Sequence, residues 1–506
     1  MNSKKNINHA IIFIVDDVRA QDFFTLIEKN KLPNIKKLVN EGTYCDNCIT
    51  SYPSITYPCY SNIVLGTYSD YFLKIGSGIP MYHFVDRNPS QELKKRFPKI
   101  INCGKNGLPK LNKLIGTNCK TIFEQAGEGN FLSSLNLISR GSLQVSPNLF
   151  TTEVIIKNVI ESFTNPRKFF ENNEPPKISI AYLPLTDDIY HKKGSSHPDY
   201  INELVELDKN IGNLTENLRK ISLLENTAIG IISDHGNYVA KKTYDLEPYF
   251  NELGLMQYNP RKGIGDFDAT MGSVGFFNFR GSTWHEHPNL KQLESFKPST
   301  IGKKEINLLE ELWRIPDVEY MYYKDDDCSP EKGIIHIRKR INDSDKFLDG
   351  LIEYQGFGIK QKTRYEFEDE EIFGYSKDEW ASKILDGRFH DINEWLTHTH
   401  SIDFPLIIDQ IPRYFKNPRS CDIIISTIGK CCFNYEHGKT VSDHRFSHDI
   451  GLKRSMTVPF ILSGSPSIPR KKISFCKTTD MVPTILNLLG MKAHESVVGK
   501  SIFKYN

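Results

Sequence analysis

Four short apolar runs, Ala10 to Val15, Ile178 to Leu185, Thr227 to Ser233 and Val458 to Ser463, are separated by polar and turn-forming stretches. Continuous apolar runs of this length read as strands buried on both faces, which predicts a mostly parallel central sheet flanked by helices. Between the second and third runs, Ile201, Leu204, Leu207, Ile211, Leu214 and Leu218 recur at intervals of three or four, the stripe of an amphipathic helix. Pro33 opens another helix and Gly42 closes it, with Ile35, Leu38 and Val39 as its apolar face. Asp480 to Leu489 is predicted helical and stops at Gly490. The fold class is therefore α/β from one end of the chain to the other.

From about Tyr249 to Thr440 the rhythm turns irregular and aromatic, with acidic runs at Asp325 to Asp327 and Glu368 to Glu371. Residues 261–400 are read as an inserted cap region that governs substrate selectivity, between two parts of a catalytic core, 1–260 and 401–506. The insert holds no internal repeat and no low-complexity tract.

Length and composition allow a site assembled from distant residues. A chain of 506 residues exceeds the roughly 100 to 200 of a typical domain, so a large core with an insertion is reasonable. Hydrophobic content of 39% with 25% charged residues excludes disordered and fibrous classes. A net charge of +2 offers no broad basic field, so nucleic acid and anionic membrane are not expected partners. Lys4 and Lys5 precede an apolar run too short for a secretory leader, without a cleavage site, and closed by Asp16 and Asp17. With no stretch long enough to span a bilayer, a soluble protein is expected. Taking Met1 as the native start, its ten cysteines fit reduced thiols in a cytoplasm. Cys45 and Cys48 have no second pair at zinc-ribbon spacing, and Cys431 and Cys432 have no histidines at finger spacing.

Candidate chemistry gathers where strands end. Ligands of open α/β sheets bind beyond the carboxyl ends of the strands. Asp16, Asp187 and the pair Asp234–His235 each follow a buried run, and Gly236 permits a sharp turn beside two possible ligands. Taken singly, each carboxylate also reads as a solvated turn or helix cap. Asp187 and His191 stand four apart and share a face if the segment after Leu185 is helical. Carboxylate and imidazole together suit zinc or manganese. Thr56 precedes Pro58, which places it near a helix start, where backbone N–H groups can hold a phosphate and a metal could activate its hydroxyl. The alternative for Thr56 is a plain N-cap. His285 with His287 and His398 with His400 have ligand spacing but no acidic partner at a strand end, and they read as surface loops.

Asp16-Asp-Val-Arg19, Pro53-Ser-Ile-Thr-Tyr-Pro58, Asp187-x-x-x-His191, Ser233-Asp-His-Gly236, and Ser447-His448 before Met456-Thr-Val-Pro-Phe460 resemble, in order, the motifs of the type I phosphodiesterase/nucleotide pyrophosphatase family. Asp480 to Gly490 and Gly499-Lys-Ser501 are similar to its C-terminal end. That family belongs to the alkaline phosphatase superfamily, which implies an alkaline-phosphatase-like core. The resemblance further implies two divalent metals, zinc favoured and manganese the alternative. Asp187, His191 and His448 would hold one, and Asp16, Asp234, His235 and the Thr56 oxygen the other. It also implies that Thr56 attacks phosphorus and forms a phospho-threonine that water then hydrolyses.

The chain departs from the pattern twice. No Asn stands in Gly78 to Arg87, where the family carries a phosphate-gripping Asn some twenty residues after the nucleophile, and Asn62 is the candidate replacement. Asp449 stands where a glycine is usual, and His444 rivals His448 as the last ligand. The expected function is hydrolysis of a small, nucleotide-like phosphoester by a phosphodiesterase or nucleotide pyrophosphatase. A phosphomonoesterase is the neighbouring alternative, and a binding protein that has lost chemistry is the alternative of another class. A sulfatase is disfavoured because the nucleophile position lacks a Cys-x-Pro-x-Arg motif.

Overall fold

The computed structural model describes residues 7–87, 97–106, 108–146, 148–341, 344, 346–434 and 445–503. Its framework is a nine-stranded sheet centred on the strand His9–Val15. Ile11, Ile12, Phe13, Ile14 and Val15 are all buried, and each such side chain contributes roughly 1.5–3 kcal/mol against the entropy of ordering the strand. Ile178–Leu183 runs parallel on one side and Thr227–Ser233 parallel on the other. Val15 is level with both Leu183 and Ser233, so the three strands end together at one edge of the sheet.

The fourth expected strand, observed as Thr457–Gly464, is an antiparallel member of this mostly parallel sheet: it pairs antiparallel with Thr227–Ser233. A strand buried on both faces has the same hydrophobic pattern in either direction, so its orientation depends on the route of the chain. Thr43–Ile49 pairs antiparallel with it in turn, with a register irregularity between Cys45 and Cys48. The remaining neighbours are parallel, which makes the sheet mixed but mostly parallel.

Helices flank this sheet. Pro33–Glu41, Thr152–Thr164 and Pro198–Lys220 pack together, as do Thr56–Leu65 and Met481–Leu488. The predicted apolar faces are buried, Ile35, Leu38 and Val39 on the first helix and Leu204, Leu207, Ile211, Leu214 and Leu218 on the long one, with Ile201 at its start only half-buried. Gly66 ends the Thr56 helix in a left-handed conformation at φ 72°, where a β-carbon would lie 3.0 Å from Val482 Cβ.

A second sheet of eight antiparallel strands is drawn from Phe267 to Ser426, between the strands Thr227–Ser233 and Thr457–Gly464 of the first. Its hairpin of Lys332–Arg340 and Phe347–Gln355 alternates buried with more exposed positions over much of its length, the signature of a sheet covered on one face. The helix Ile407–Phe415 also lies in this stretch and is buried along its whole length. A network of buried charges joins this helix to the loop after the Thr56 helix: Arg413 reaches Asp70 at 3.0 Å and Asp409 at 2.6 Å, and Lys416 reaches Asp70 at 2.9 Å.

Candidate active site

The common edge of the three central strands brings together every side chain of the expected constellation. Asp16 follows Val15 directly, and Asp234–His235 follows Ser233. The strand Ile178–Leu183 ends two residues earlier than its apolar run, because Pro184 caps a helix over Leu185–Lys193. That helix carries Asp187 and His191 one turn apart, with Asp187 Oδ1 3.2 Å from His191 Nε2. His448 arrives from the far end of the chain, its Nε2 3.9 Å from Asp187 Oδ1 and its ring stacked on His235 at 4.0 Å. The rival His444 lies outside the described residues.

Thr56 is the first residue of its helix, and the N-cap is Ile55. Its hydroxyl therefore does not cap the helix and instead meets His235 Nε2 at 3.1 Å. His235 Nε2 also faces Asp16 Oδ1 at 3.3 Å and Asp234 Oδ2 at 3.7 Å. Two sets of donor atoms each fit within 4.8 Å: Asp16, Asp234 and His235, and Asp187, His235 and His448.

The three imidazoles share one orientation. Each faces a backbone carbonyl with Nδ1: His191 that of Phe446 at 2.9 Å, His448 that of Ser54 at 2.9 Å, and His235 that of Gly236 at 3.2 Å. In the neutral tautomer with its proton on Nδ1, the one that ligating histidines adopt, each imidazole would aim an Nε2 lone pair at carboxylate oxygens. Asp16 Oδ1, Asp187 Oδ1 and Asp234 Oδ2 are shielded from water and accept no hydrogen bond. Orphaned acceptors of both kinds, facing one another, are the donor set a divalent cation satisfies. The residues present therefore fit a metal.

Burial raises the pKa of Asp16 well above the usual carboxylate range, and the charges of Asp234 and Asp187 add to it. Asp234 is pushed up to about 7, chiefly by burial. Burial opposes a charge on His191, but the Asp187 carboxylate prevails and raises its pKa to about 9. Burial lowers His235 to about 3. Asp187 goes the other way: against the effect of burial, His191 and His448 hold it below its ordinary value. Hydroxyls outside the expected set orient its first member: Tyr182 donates to Asp16 Oδ2 and Thr186 to the Asp16 carbonyl.

Asn62 is not brought to the site. It is fully buried one turn and a half into the helix, with its amide nitrogen directed at the carbonyls of Pro58 (3.1 Å) and Thr67 (2.8 Å) and its oxygen at Ser51 Oγ (2.7 Å). Both amide hydrogens are directed at local backbone carbonyls and the oxygen at Ser51, so the side chain braces the helix. The other histidine pairs are also occupied elsewhere: His287 meets Asp422 at 2.5 Å, and His398 and His400 meet backbone carbonyls.

A cavity of about 310 Å³ borders Thr56, Asp187, His191 and His448. Met81, Tyr82, Met271, Phe276, Phe433 and Phe446 make much of its remaining wall. Sequence reasoning did not find these residues, since isolated aromatic and methionine positions in an irregular stretch carry no periodic signal.

An α/β core of this shape is shared with a solved structure, murine ectonucleotide pyrophosphatase/phosphodiesterase 5, at a TM-score of 0.54 and 13% identity over 96% of each chain. The fold is thus alkaline-phosphatase-like. The profile of the type I phosphodiesterase / nucleotide pyrophosphatase family matches residues 10–94 and 119–297, just over half of the chain, and the protein belongs to that family. The match contains Asp16, Thr56, Asp187, His191, Asp234 and His235, while His448 lies beyond it.

Among curated relatives, an uncharacterized pyrophosphatase/phosphodiesterase of Schizosaccharomyces pombe is 22% identical over 64% of this chain and 65% of its own. An ectonucleotide pyrophosphatase/phosphodiesterase of Caenorhabditis elegans is 24% identical over 46% of this chain and 26% of its own. Family member 1 of Mus musculus is 25% identical over 51% of this chain and 28% of its own. The chain thus spans about two thirds of the yeast protein and about a quarter of the other two. No helix among the described residues is long and apolar enough to cross a membrane.

Proposed function

We propose that this protein hydrolyses phosphodiester or nucleotide pyrophosphate bonds with Thr56 as nucleophile. The observation that carries the reading is the Thr56 hydroxyl at a helix start, 3.1 Å from His235 Nε2, inside a buried set of orphaned carboxylate oxygens and imidazole lone pairs. Asp187, His191 and His448 would hold one divalent ion, and Asp16, Asp234, His235 and the Thr56 oxygen a second, with zinc favoured and manganese the alternative. Such ions would supply acidity to the threonine hydroxyl and neutralise charge on the phosphoryl group.

The chain's own residues supply the rest. A helix leaves its first N–H groups without intrahelical partners, so the Thr56 helix offers its positive end to a phosphoryl oxygen. That electrostatic grip is one physical substitute for the absent Asn. The adjoining apolar cavity accommodates an organic substituent and keeps water from it, which favours a diester over a monoester. Part of its wall, Met271 and Phe276, comes from the second sheet, so the region 261–400 would set selectivity toward a small nucleotide-like substrate.

Metal analysis joined to a substrate comparison tests the reading. Protein purified without chelator should carry about two divalent ions per chain, as a two-metal site requires. It should turn over bis(p-nitrophenyl) phosphate or a nucleotide p-nitrophenyl ester faster than p-nitrophenyl phosphate. Chelation should remove the activity, and zinc or manganese should restore it. Metal-free protein that remains active would refute the two-metal mechanism, and a preference for the monoester would assign the phosphomonoesterase reading instead.

A further inference from the structure

One buried carboxylate joins the last imidazole of the site to the wall of the cavity. Asp449 follows His448 directly and is 5% exposed. Its Oδ1 accepts from the Tyr238 hydroxyl at 2.5 Å, and its Oδ2 accepts from the Val274 N–H at 3.1 Å. The Tyr238 oxygen in turn accepts from the Ser273 N–H at 3.2 Å. Ser273 and Val274 belong to the hairpin between the strands Phe267–Met271 and Val274–Phe279, the first of the second sheet. Thr270, Met271, Gly272 and Val274 from this hairpin all line the cavity.

The hairpin is shaped to receive that carboxylate. A β-carbon on Gly272 would lie 2.2 Å from Asp449 Oδ2, a distance no side chain tolerates. The glycine is needed at the turn because the Asp449 carboxylate occupies the space that a side chain there would fill. The turn is itself held firmly, with the Gly272 carbonyl accepting from Phe433 N–H at 2.8 Å and the Ser273 carbonyl from Thr427 N–H at 2.9 Å. On its other side, His448 is clamped to the approach of the nucleophile helix: its carbonyl accepts from Ser54 Oγ at 2.5 Å and its Nδ1 faces the Ser54 carbonyl. His448 thus sits between two anchors, one from the core and one from the insert.

We propose that Asp449 is a positioning residue that couples the inserted sheet to the metal-ligating face, holding His448 Nε2 and the cavity wall in one fixed relation. This rests on the reading of His448 as a ligand. Groups that orient a ligand from behind typically change metal affinity or activity about 10- to 100-fold when removed. Through Asp449, a substrate that presses on the Gly272 hairpin also acts on the position of His448. The insert becomes part of the ligand scaffold as well as a selectivity element.

A four-variant experiment tests it: Asp449→Gly, Asp449→Asn, Gly272→Ala, and Asp449→Gly combined with Gly272→Ala. Zinc affinity is read by competition with a chromophoric chelator, and the thermal midpoint of each metal-free protein is read separately. Asp449→Gly should weaken one of the two zinc ions about 10- to 100-fold. Asp449→Asn should stay close to wild type, because its amide can still accept from Val274 and donate to the Tyr238 oxygen. Gly272→Ala should lower the midpoint and weaken zinc in the parent, and do much less harm in the Asp449→Gly background, where the clash is gone.

Wild-type zinc affinity in Asp449→Gly would overturn the coupling. So would Gly272→Ala that is equally harmful in both backgrounds. A parent protein that binds no zinc would instead remove His448 as a ligand, and with it the positioning role. The thermal midpoints would still report whether residues 272 and 449 fit each other.

Discussion

Replacing Thr56 by alanine is expected to lower kcat/KM on a chromogenic phosphodiester by about 10⁴-fold or more, equivalent to about 5 kcal/mol of transition-state stabilisation. The expectation follows from geometry, since the Thr56 oxygen is the only hydroxyl of the seven-residue constellation and stands 3.1 Å from His235 Nε2. Folding should be nearly untouched, because Ile55 is the N-cap and the Thr56 hydroxyl makes no capping bond. On the proposed ligand set, Asp16, Asp234 and His235 would still hold that ion, so metal content should persist with reduced affinity at one site. Thr56→Ser, which keeps a hydroxyl in place, should retain measurable turnover. Steady-state kinetics beside metal analysis separates the cases: activity of Thr56→Ala within tenfold of wild type would assign the nucleophile elsewhere.

A second large effect is expected from Arg413→Ala, this time on stability. The guanidinium is buried and bonds Asp409 at 2.6 and 3.0 Å, Asp70 at 3.0 Å, and the Gly358 carbonyl at 3.0 Å. Its removal strands two buried carboxylates with Lys416 as the remaining cation of the network. Breaking a buried pair in this way typically costs about 3–5 kcal/mol, against a total stability of roughly 5–15 kcal/mol. The urea midpoint should fall sharply, and a midpoint equal to wild type would show that the network contributes little.

The same network gives the sign of an acid effect. Burial alone would raise the pKa of Asp70, but Lys416 and Arg413 outweigh it and hold the carboxyl below its ordinary value. Its contribution is therefore complete above the ordinary carboxylate range and is lost as pH falls through the depressed value. Because Asp70 follows the Thr56 helix and Arg413 lies beside the second sheet, loosening this network should also lower activity through the relative position of Thr56 and the cavity wall.

The central strands and their polar ends were legible in the residues because both depend on short-range patterns. A run such as Ile11 to Val15 must be buried, and a charged residue at its carboxyl end must lie at the sheet edge. Asp187 and His191 were legible for the same reason, one helical turn apart. The second sheet was not. Its strands are apolar on one face, interrupted by turns, and paired with partners as distant as Val274 and Ser426, so no local period announces them.

Among site residues, Asn62 shows the limit of motif reasoning most directly. Its type suits a phosphate grip, but its position on the buried side of a helix commits its amide to Pro58, Thr67 and Ser51. Asp449 shows the converse: a departure from the family pattern that reads as a loss until Gly272 is seen opposite it.

By itself, then, the sequence determined the α/β core, the strand ends that carry Asp16, Asp234 and His235, the helical turn that pairs Asp187 with His191, and the helix start that carries Thr56, since each follows from periodicity, burial or turn chemistry within a few residues. Only the tertiary structure decided that Thr457–Gly464 runs antiparallel, that His448 stacks on His235, that Asn62 turns inward, and that a hairpin of the second sheet closes on Asp449. The strand direction, the imidazole stacking and the hairpin contact join residues far apart in the chain, and their geometry is set by how whole layers pack; the Asn62 contacts are near in sequence, but the side of the helix they bury is again a matter of packing.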